Sequence, residues 1–226
     1  MRCDSKVAFR RAAARGAAVL ALIATGIPAR AGLCASGDAG EPHREFRLLA
    51  GYSPTSPTLI GTATDRQLAI AEFSYSYRCW LGSRVSLSFT AGVLPAVVVR
   101  QPQQTLTLIA SPGVGFTQNL PAHAVYGFGF TPVGFFAEFA RRHWIHPIAE
   151  VDGGIVASTE PIPLRGNNAT GLNFLFDFGG GIRWNAGPRQ AVTAGYRFLH
   201  ISNAGTTDFN PGLDNHVFYL SYSFLR

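Results

Sequence analysis

The segment Val85-Ser-Leu-Ser-Phe-Thr-Ala-Gly-Val93 alternates without a break. Val85, Leu87, Phe89, Ala91 and Val93 are apolar, and Ser86, Ser88, Thr90 and Gly92 between them are polar or small. A period of two is that of an extended strand, whose successive side chains leave opposite faces. The same alternation predicts eight strands, over 44–53, 66–79, 84–94, 124–139, 144–156, 171–185, 190–203 and 214–226, divided by clusters of Gly, Pro, Ser and Asn. Aromatic and aliphatic residues fill one face of each, for example Phe46, Leu48 and Tyr52, Phe174, Phe176 and Phe178, or Phe218, Leu220, Tyr222 and Phe224. The other face carries Arg47, Glu72, Arg78, Glu150, Asp152, Asp177, Arg183 and Arg197, four positive and four negative.

That charge balance chooses between two kinds of barrel. A soluble barrel turns its apolar face inward and its charges to water, with no reason for the signs to match. Matched charges facing inward suit ion pairs that fill a narrow lumen, and eight strands leave an interior only wide enough for side chains. The apolar face then meets lipid. Charged residues make up 14% of the chain, against about 25% in soluble domains, and after residue 31 no run reaches the ~18 apolar residues of a membrane helix. The predicted fold is all-β, an eight-stranded antiparallel transmembrane β-barrel. The connections alternate long (54–65), short (80–83), long (95–123), short (140–143), long (157–170), short (186–189) and long (204–213). Outer-membrane barrels have short periplasmic turns and longer external loops, so both termini are expected in the periplasm and the 204–213 loop at the outer surface. The 95–123 segment reads either as an external flap or as extended strand edges.

Residues 1–31 have the layout of a signal peptide, with Arg2, Lys6, Arg10, Arg11 and Arg15, an apolar run from Ala17 to Ile27, and Ala29-Arg30-Ala31 as a cleavage site. Residues 32–226 then form the barrel domain. Arg10-Arg11 lacks the rest of a twin-arginine motif, and Leu33 stands where a lipoprotein signal before Cys34 needs a small residue. Six of the nineteen Lys and Arg and one of the thirteen acids fall in the leader, leaving thirteen against twelve. The basic excess is mostly leader, so no broad footprint for nucleic acid remains. Cys34 and Cys79, the thiols outside the leader, are read as free, though an oxidising compartment would permit pairing. Neither has a metal-ligand spacing.

On the seventh predicted strand the apolar face uses even numbers, and His200 and Ser202 continue that parity toward the external end. Asp214 precedes Phe218 on the same face of the eighth strand. A hairpin brings the acid back beside His200. A serine hydroxyl is a weak nucleophile unless an imidazole takes its proton, and the imidazole needs an acid to fix its tautomer and stabilise its cation. Ser202, His200 and Asp214 can fill those roles on a surface facing lipid. Asn203, Asn210 and the amide of Gly205 are candidate oxyanion donors, among which spacing does not choose. The alternative is that these are interfacial polar residues bonding to headgroups.

The block Gly195-Tyr-Arg-Phe-Leu-His-Ile-Ser-Asn-Ala-Gly205, followed by Asn210-Pro-Gly-Leu-Asp214 and a final aromatic strand, resembles the PagL family of lipid A 3-O-deacylases. Leu49-Ala-Gly-Tyr-Ser-Pro54, Tyr126-Gly-Phe-Gly-Phe130 and Phe176-Asp-Phe-Gly-Gly-Gly181 fit the same layout. The resemblance implies an eight-stranded outer-membrane barrel that hydrolyses the 3-linked ester of lipid A, the lipid anchor of lipopolysaccharide, with a His-x-Ser pair and a downstream carboxylate. His200 and Ser202 match that pair. Asp214 stands where the family carries glutamate and is one methylene shorter, and Asp208 is a reserve acid. No cofactor is implied, and the residues carry no signal of oligomeric state.

Other signals have structural readings. His143 and His146 fall on opposite faces, which suits a turn histidine and a lumen histidine better than a metal pair. Arg141-Arg142-His143 reads as a solvated turn. Gly179-Gly180-Gly181 lies within a strand with no helix after it, so curvature explains it better than a phosphate loop. Glu150 and Asp152 read as lumen ion-pair partners rather than an acid–base pair. Two rival functions remain: a non-catalytic structural or adhesive small barrel, and an outer-membrane acyltransferase.

Overall fold

The computed structural model describes residues 43–111, 114–163, 170–207 and 210–226. The predicted leader, Cys34 and Asp208 lie outside the described residues. Among the described residues ten strands form: β1 (Arg44–Ser53), β2 (Gln67–Leu81), β3 (Val85–Gln101), β4 (Gln104–Ser111), β5 (Val114–Leu120), β6 (His123–Phe139), β7 (Ile145–Ser158), β8 (Leu172–Gly187), β9 (Gln190–Ser202) and β10 (Leu213–Leu225). Eight of them close an antiparallel barrel in the order β1-β10-β9-β8-β7-β6-β3-β2, and β4 and β5 form a separate two-stranded ribbon. Closure pairs every barrel strand on both sides, which removes the open edges that could not survive in lipid. Among the described residues no helix is long and apolar enough to cross a membrane.

All eight predicted strands are present. The extra structure lies in the 95–123 segment, where β3 runs on to Gln101 and the β4–β5 ribbon follows before β6 starts at His123. This stretch is therefore extended strand and hairpin. β3 hid its length behind a bulge between Leu94 and Val97, where the inward positions change from even to odd. β6 has a matching bulge between Phe130 and Val133, with Pro132 and Val133 both turned out. One extra residue in one strand shifts all later side chains to the other face. Phe136 and Glu138 therefore point inward although Tyr126, Phe128 and Phe130, also even, point out.

The barrel exterior is aromatic and aliphatic, with Leu48, Phe73, Phe128, Phe176, Phe178, Ile182, Phe218 and Leu220 among its exposed side chains. Trp144 packs edge-on against Trp184 toward the short-turn end. The interior is layered. Toward the long-loop end it is apolar, filled by Leu68, Ile70, Leu94, Val97, Val99, Val125, Val156, Leu175, Leu199, Ile201, Leu213 and Val217 and capped by Ala63 and Ile162 from the loops.

Below that plug lies an ionic layer. Arg197 makes a two-pronged contact with Glu150 at 2.7 and 2.9 Å and bonds Glu72 at 2.7 Å. Arg47 reaches Glu150 at 2.9 Å and lies over the Phe136 ring at 5.1 Å. Nearer the short turns, Arg183 grips Glu45 with two bonds of 2.8 and 3.0 Å, and Glu138 accepts a 2.8 Å bond from Ser86 and contacts His146 at 3.3 Å. Each charge thus exchanges water for fixed partners, as burial requires. The predicted equality of charge is corrected here. Glu45 and Glu138 join the acids already named, giving six carboxylates to the four arginines Arg47, Arg78, Arg183 and Arg197.

His146 is buried in the lumen, His143 is exposed at the turn, and no metal-ligand group of three forms among the described residues. Gly179 and Gly181 lie so close to β9 that a Cβ on either would meet a backbone oxygen of Tyr196 or Ala194 within 2.4 Å.

Candidate active site

β9 and β10 pair directly where the candidate residues sit, with His200 opposite Asp214 and Leu213 opposite Ile201. The odd positions of this hairpin, Arg197, Leu199, Ile201 and Leu213, fill the lumen. His200, Ser202 and Asp214 are even and stand on the outer wall. The imidazole and carboxylate meet: His200 Nδ1 lies 2.6 Å from Asp214 Oδ1. A carboxylate at Nδ1 holds the proton there and leaves Nε2 with its lone pair, the tautomer a general base needs.

Asp214 is fully buried although its side chain points away from the lumen. Its cover is the loop between β1 and β2. The amides of Leu59, Ile60 and Gly61 all donate to Asp214 Oδ2, at 2.8, 2.6 and 2.9 Å. The loop is tied down beside them, since Thr62 N donates to Pro211 O at 2.6 Å and Ala63 N to Gly212 O at 3.3 Å. Three successive amides converging on one carboxylate oxygen form a compact anion cradle. Both oxygens of the acid are thus committed before any substrate arrives. The Leu59 and Ile60 side chains project outward and stay exposed.

Ser202 follows two residues after His200 on the same face and is 9% exposed. Its hydroxyl makes no hydrogen bond among the described residues, so the acid–imidazole contact is closed and the imidazole–hydroxyl contact is open. Apo sites often hold the latter loosely until substrate fixes it. The oxyanion candidates separate clearly. Asn203 Nδ2 donates to Thr207 Oγ1 at 2.7 Å, and the Gly205 amide donates to Asn203 Oδ1 at 2.9 Å. Both stabilise the loop, in which Ala204 and Gly205 have φ of 52° and 76°. Asn210 accepts a 3.1 Å bond from Asn203 N through Oδ1 and is exposed, and its Nδ2 makes no hydrogen bond among the described residues.

Two features escaped the sequence reading. One is the Leu59–Gly61 cradle, whose amides belong to residues more than 150 positions from the acid they hold. The other is His216, one step toward the bilayer from Asp214 on the same face. Its Nδ1 lies 2.5 Å from the Tyr196 hydroxyl and its ring stacks on Tyr196 at 5.6 Å. Alternation marked Tyr196 as an outward aromatic but gave no hint of a polar partner across the strands.

Comparison with known proteins agrees with this architecture. The chain is similar to the outer membrane enzyme PagL, whose crystal structure matches with 21% identity and a TM-score of 0.55 over 77% of this chain and 97% of that one. Neisserial surface protein A matches with 9% identity and a TM-score of 0.48 over 80% and 96% of the two chains. Ail of Yersinia pestis matches with 8% identity and a TM-score of 0.42 over 82% and 99%. The likeness to PagL concerns the fold alone. No curated protein matches the chain. The model of one family, lipid A 3-O-deacylase (PagL), matches residues 62–223, from within the β1–β2 loop to Ser223 in the last strand. By that match, which spans seven of the eight barrel strands and all three candidate catalytic residues, the chain belongs to the PagL family of lipid A 3-O-deacylases.

Proposed function

We propose that this protein is an outer-membrane serine esterase that hydrolyses the 3-O-linked acyl chain of lipid A, with Ser202 as nucleophile, His200 as base then acid, and Asp214 as the orienting carboxylate. Family membership supports the reaction class. The single observation that carries the residue roles is the 2.6 Å contact between His200 Nδ1 and Asp214 Oδ1 on the outer wall of the barrel.

In this reading Ser202 gives its proton to His200 Nε2 as its oxygen attacks the ester carbonyl. The negative charge on the carbonyl oxygen is met by donors of the 203–210 loop, of which Asn210 Nδ2 has the freest geometry. Collapse of the tetrahedral species breaks the bond to the sugar oxygen, which leaves with the proton from His200. Water then gives a proton to His200 and attacks the acyl-serine, releasing free fatty acid and restoring the Ser202 hydroxyl. No cofactor takes part in these steps.

The long-loop end, where the site sits, faces the outer leaflet in this proposal, with both termini in the periplasm and residues 1–31 serving as the export leader. Ser202→Ala decides the central claim. Wild-type protein mixed with lipid A should release fatty acid and leave a lipid lighter by one acyl chain, as read by mass spectrometry. Undiminished acyl loss in the variant would overturn the assignment. Gain of an acyl chain by another lipid in place of free acid would identify a transferase instead.

A further inference from the structure

The loop between β1 and β2 touches the site at two places, and both depend on glycine. Gly61 supplies one of the three amides on Asp214 Oδ2. A Cβ on Gly61 would come within 2.7 Å of Gly212 C and O and 2.9 Å of Leu213 N, all backbone atoms that cannot rotate away. Gly212 has φ +63°, a left-handed conformation that favours glycine. A Cβ there would meet Gly61 Cα and His200 Cε1, each at 3.0 Å. Gly61 thus lets the loop stack on the start of β10, and Gly212 carries the backbone just before β10 close to the imidazole. The acid holds Nδ1 of His200, and a side chain at position 212 would crowd the Cε1 edge of the same ring.

We propose that Gly61 is a positioning residue for the esterase reaction: its lack of a side chain lets the Leu59–Gly61 amides close on Asp214, and this grip fixes the carboxylate that orients His200. The inference rests on the functional reading above, and it adds an element of the site outside the β9–β10 hairpin. A side chain at position 61 pushes the loop off Gly212, withdraws the amides from Oδ2 and frees the carboxylate to rotate. The imidazole then loses its fixed direction. Substrate contact with the outer wall is left in place, so the loss falls on kcat and not on KM.

The test uses the full mature chain refolded in detergent with lipid A as substrate, and scores folding by the heat-dependent gel mobility typical of closed barrels. Gly61→Ala is expected to lower kcat by about 100-fold, the scale of an ångström-level misplacement, with KM little changed. Ile60→Pro, which deletes the shortest of the three donors, should lower kcat in the same way and decides the matter if Gly61→Ala does not fold. Combining Gly61→Ala with Asp214→Ala should cost no more than Asp214→Ala alone, because a residue that acts through the acid has nothing left to act on. Full kcat in Gly61→Ala and Ile60→Pro beside an impaired Asp214→Ala would overturn this inference and leave the acid's role standing. Multiplying losses in the double variant would overturn it too. Full activity of Asp214→Ala would overturn the reading of the acid, and this inference with it.

Discussion

Asp214 shows how one side chain can be set by neighbours from two parts of the chain. Strand pairing aims it at His200, and the loop amides saturate its second oxygen. An acid with both oxygens engaged has little freedom to turn, so in the proposed mechanism it contributes direction as well as charge. Asp214→Asn keeps the size of the group but presents an amide where the imidazole N–H and three backbone amides need acceptors. In the proposed mechanism it should lower kcat by roughly 10³- to 10⁴-fold, the cost of a mis-set tautomer in serine hydrolases, as measured by fatty acid release. Asn210→Ala should lower kcat by about 10²- to 10³-fold if its amide meets the oxyanion, whereas Asn203→Ala should show a stability loss in heat-mobility assays through its bonds to Thr207 and Gly205.

Among the elements, β3 and β6 depend on their bulges. Deleting Pro132 removes the extra residue of β6, so Thr131 and Val133 pair in turn with Gly154 and Gly153, the register beyond them is kept and Glu138 still faces the lumen. Deleting Phe135, a regularly paired residue, instead turns Phe136 and Glu138 to lipid and Ala137 into the lumen. We expect the Phe135 deletion to abolish the heat-modifiable folded band, while the Pro132 deletion leaves that band in place. The same bulges explain what alternation could reveal. Regular strands such as β9 and β10 kept the parity that alternation assigned to them, because their pairing runs without a register shift from Gln190 to Ile201 and from Leu213 to Phe224. Val97 and Val99 were hidden in a supposed loop, since parity changes after Leu94 and the inward series looks interrupted. Glu138 was missed for the same reason. The cradle over Asp214 was illegible for a different one: backbone amides carry no residue signature, and the Leu-Ile-Gly stretch that supplies them is unpatterned, with Leu59 and Ile60 exposed.

Across the whole molecule, the apolar plug and the ionic layer below it divide the labour of filling the barrel. The plug closes the long-loop end, and the arginines tie six strands together across the lumen through carboxylates of β1, β2, β6 and β7. Arg197 is the hub. Arg197→Ala leaves Glu72 and Glu150 as buried charges short of a partner and should cost about 3–5 kcal/mol, read from denaturant unfolding in phospholipid vesicles. A filled interior also predicts no steady ion conductance when the protein is reconstituted in planar bilayers, and a step current from the wild-type protein would contradict the packing described.

Placing His200 and Asp214 on the convex wall has a kinetic corollary. A substrate that meets the protein there arrives by sideways diffusion within its own monolayer, never by way of a channel or from bulk water. Under the proposed reaction, turnover then follows the mole fraction of substrate in the sheet, so adding inert amphiphile at constant total substrate should slow it as neighbours become rarer.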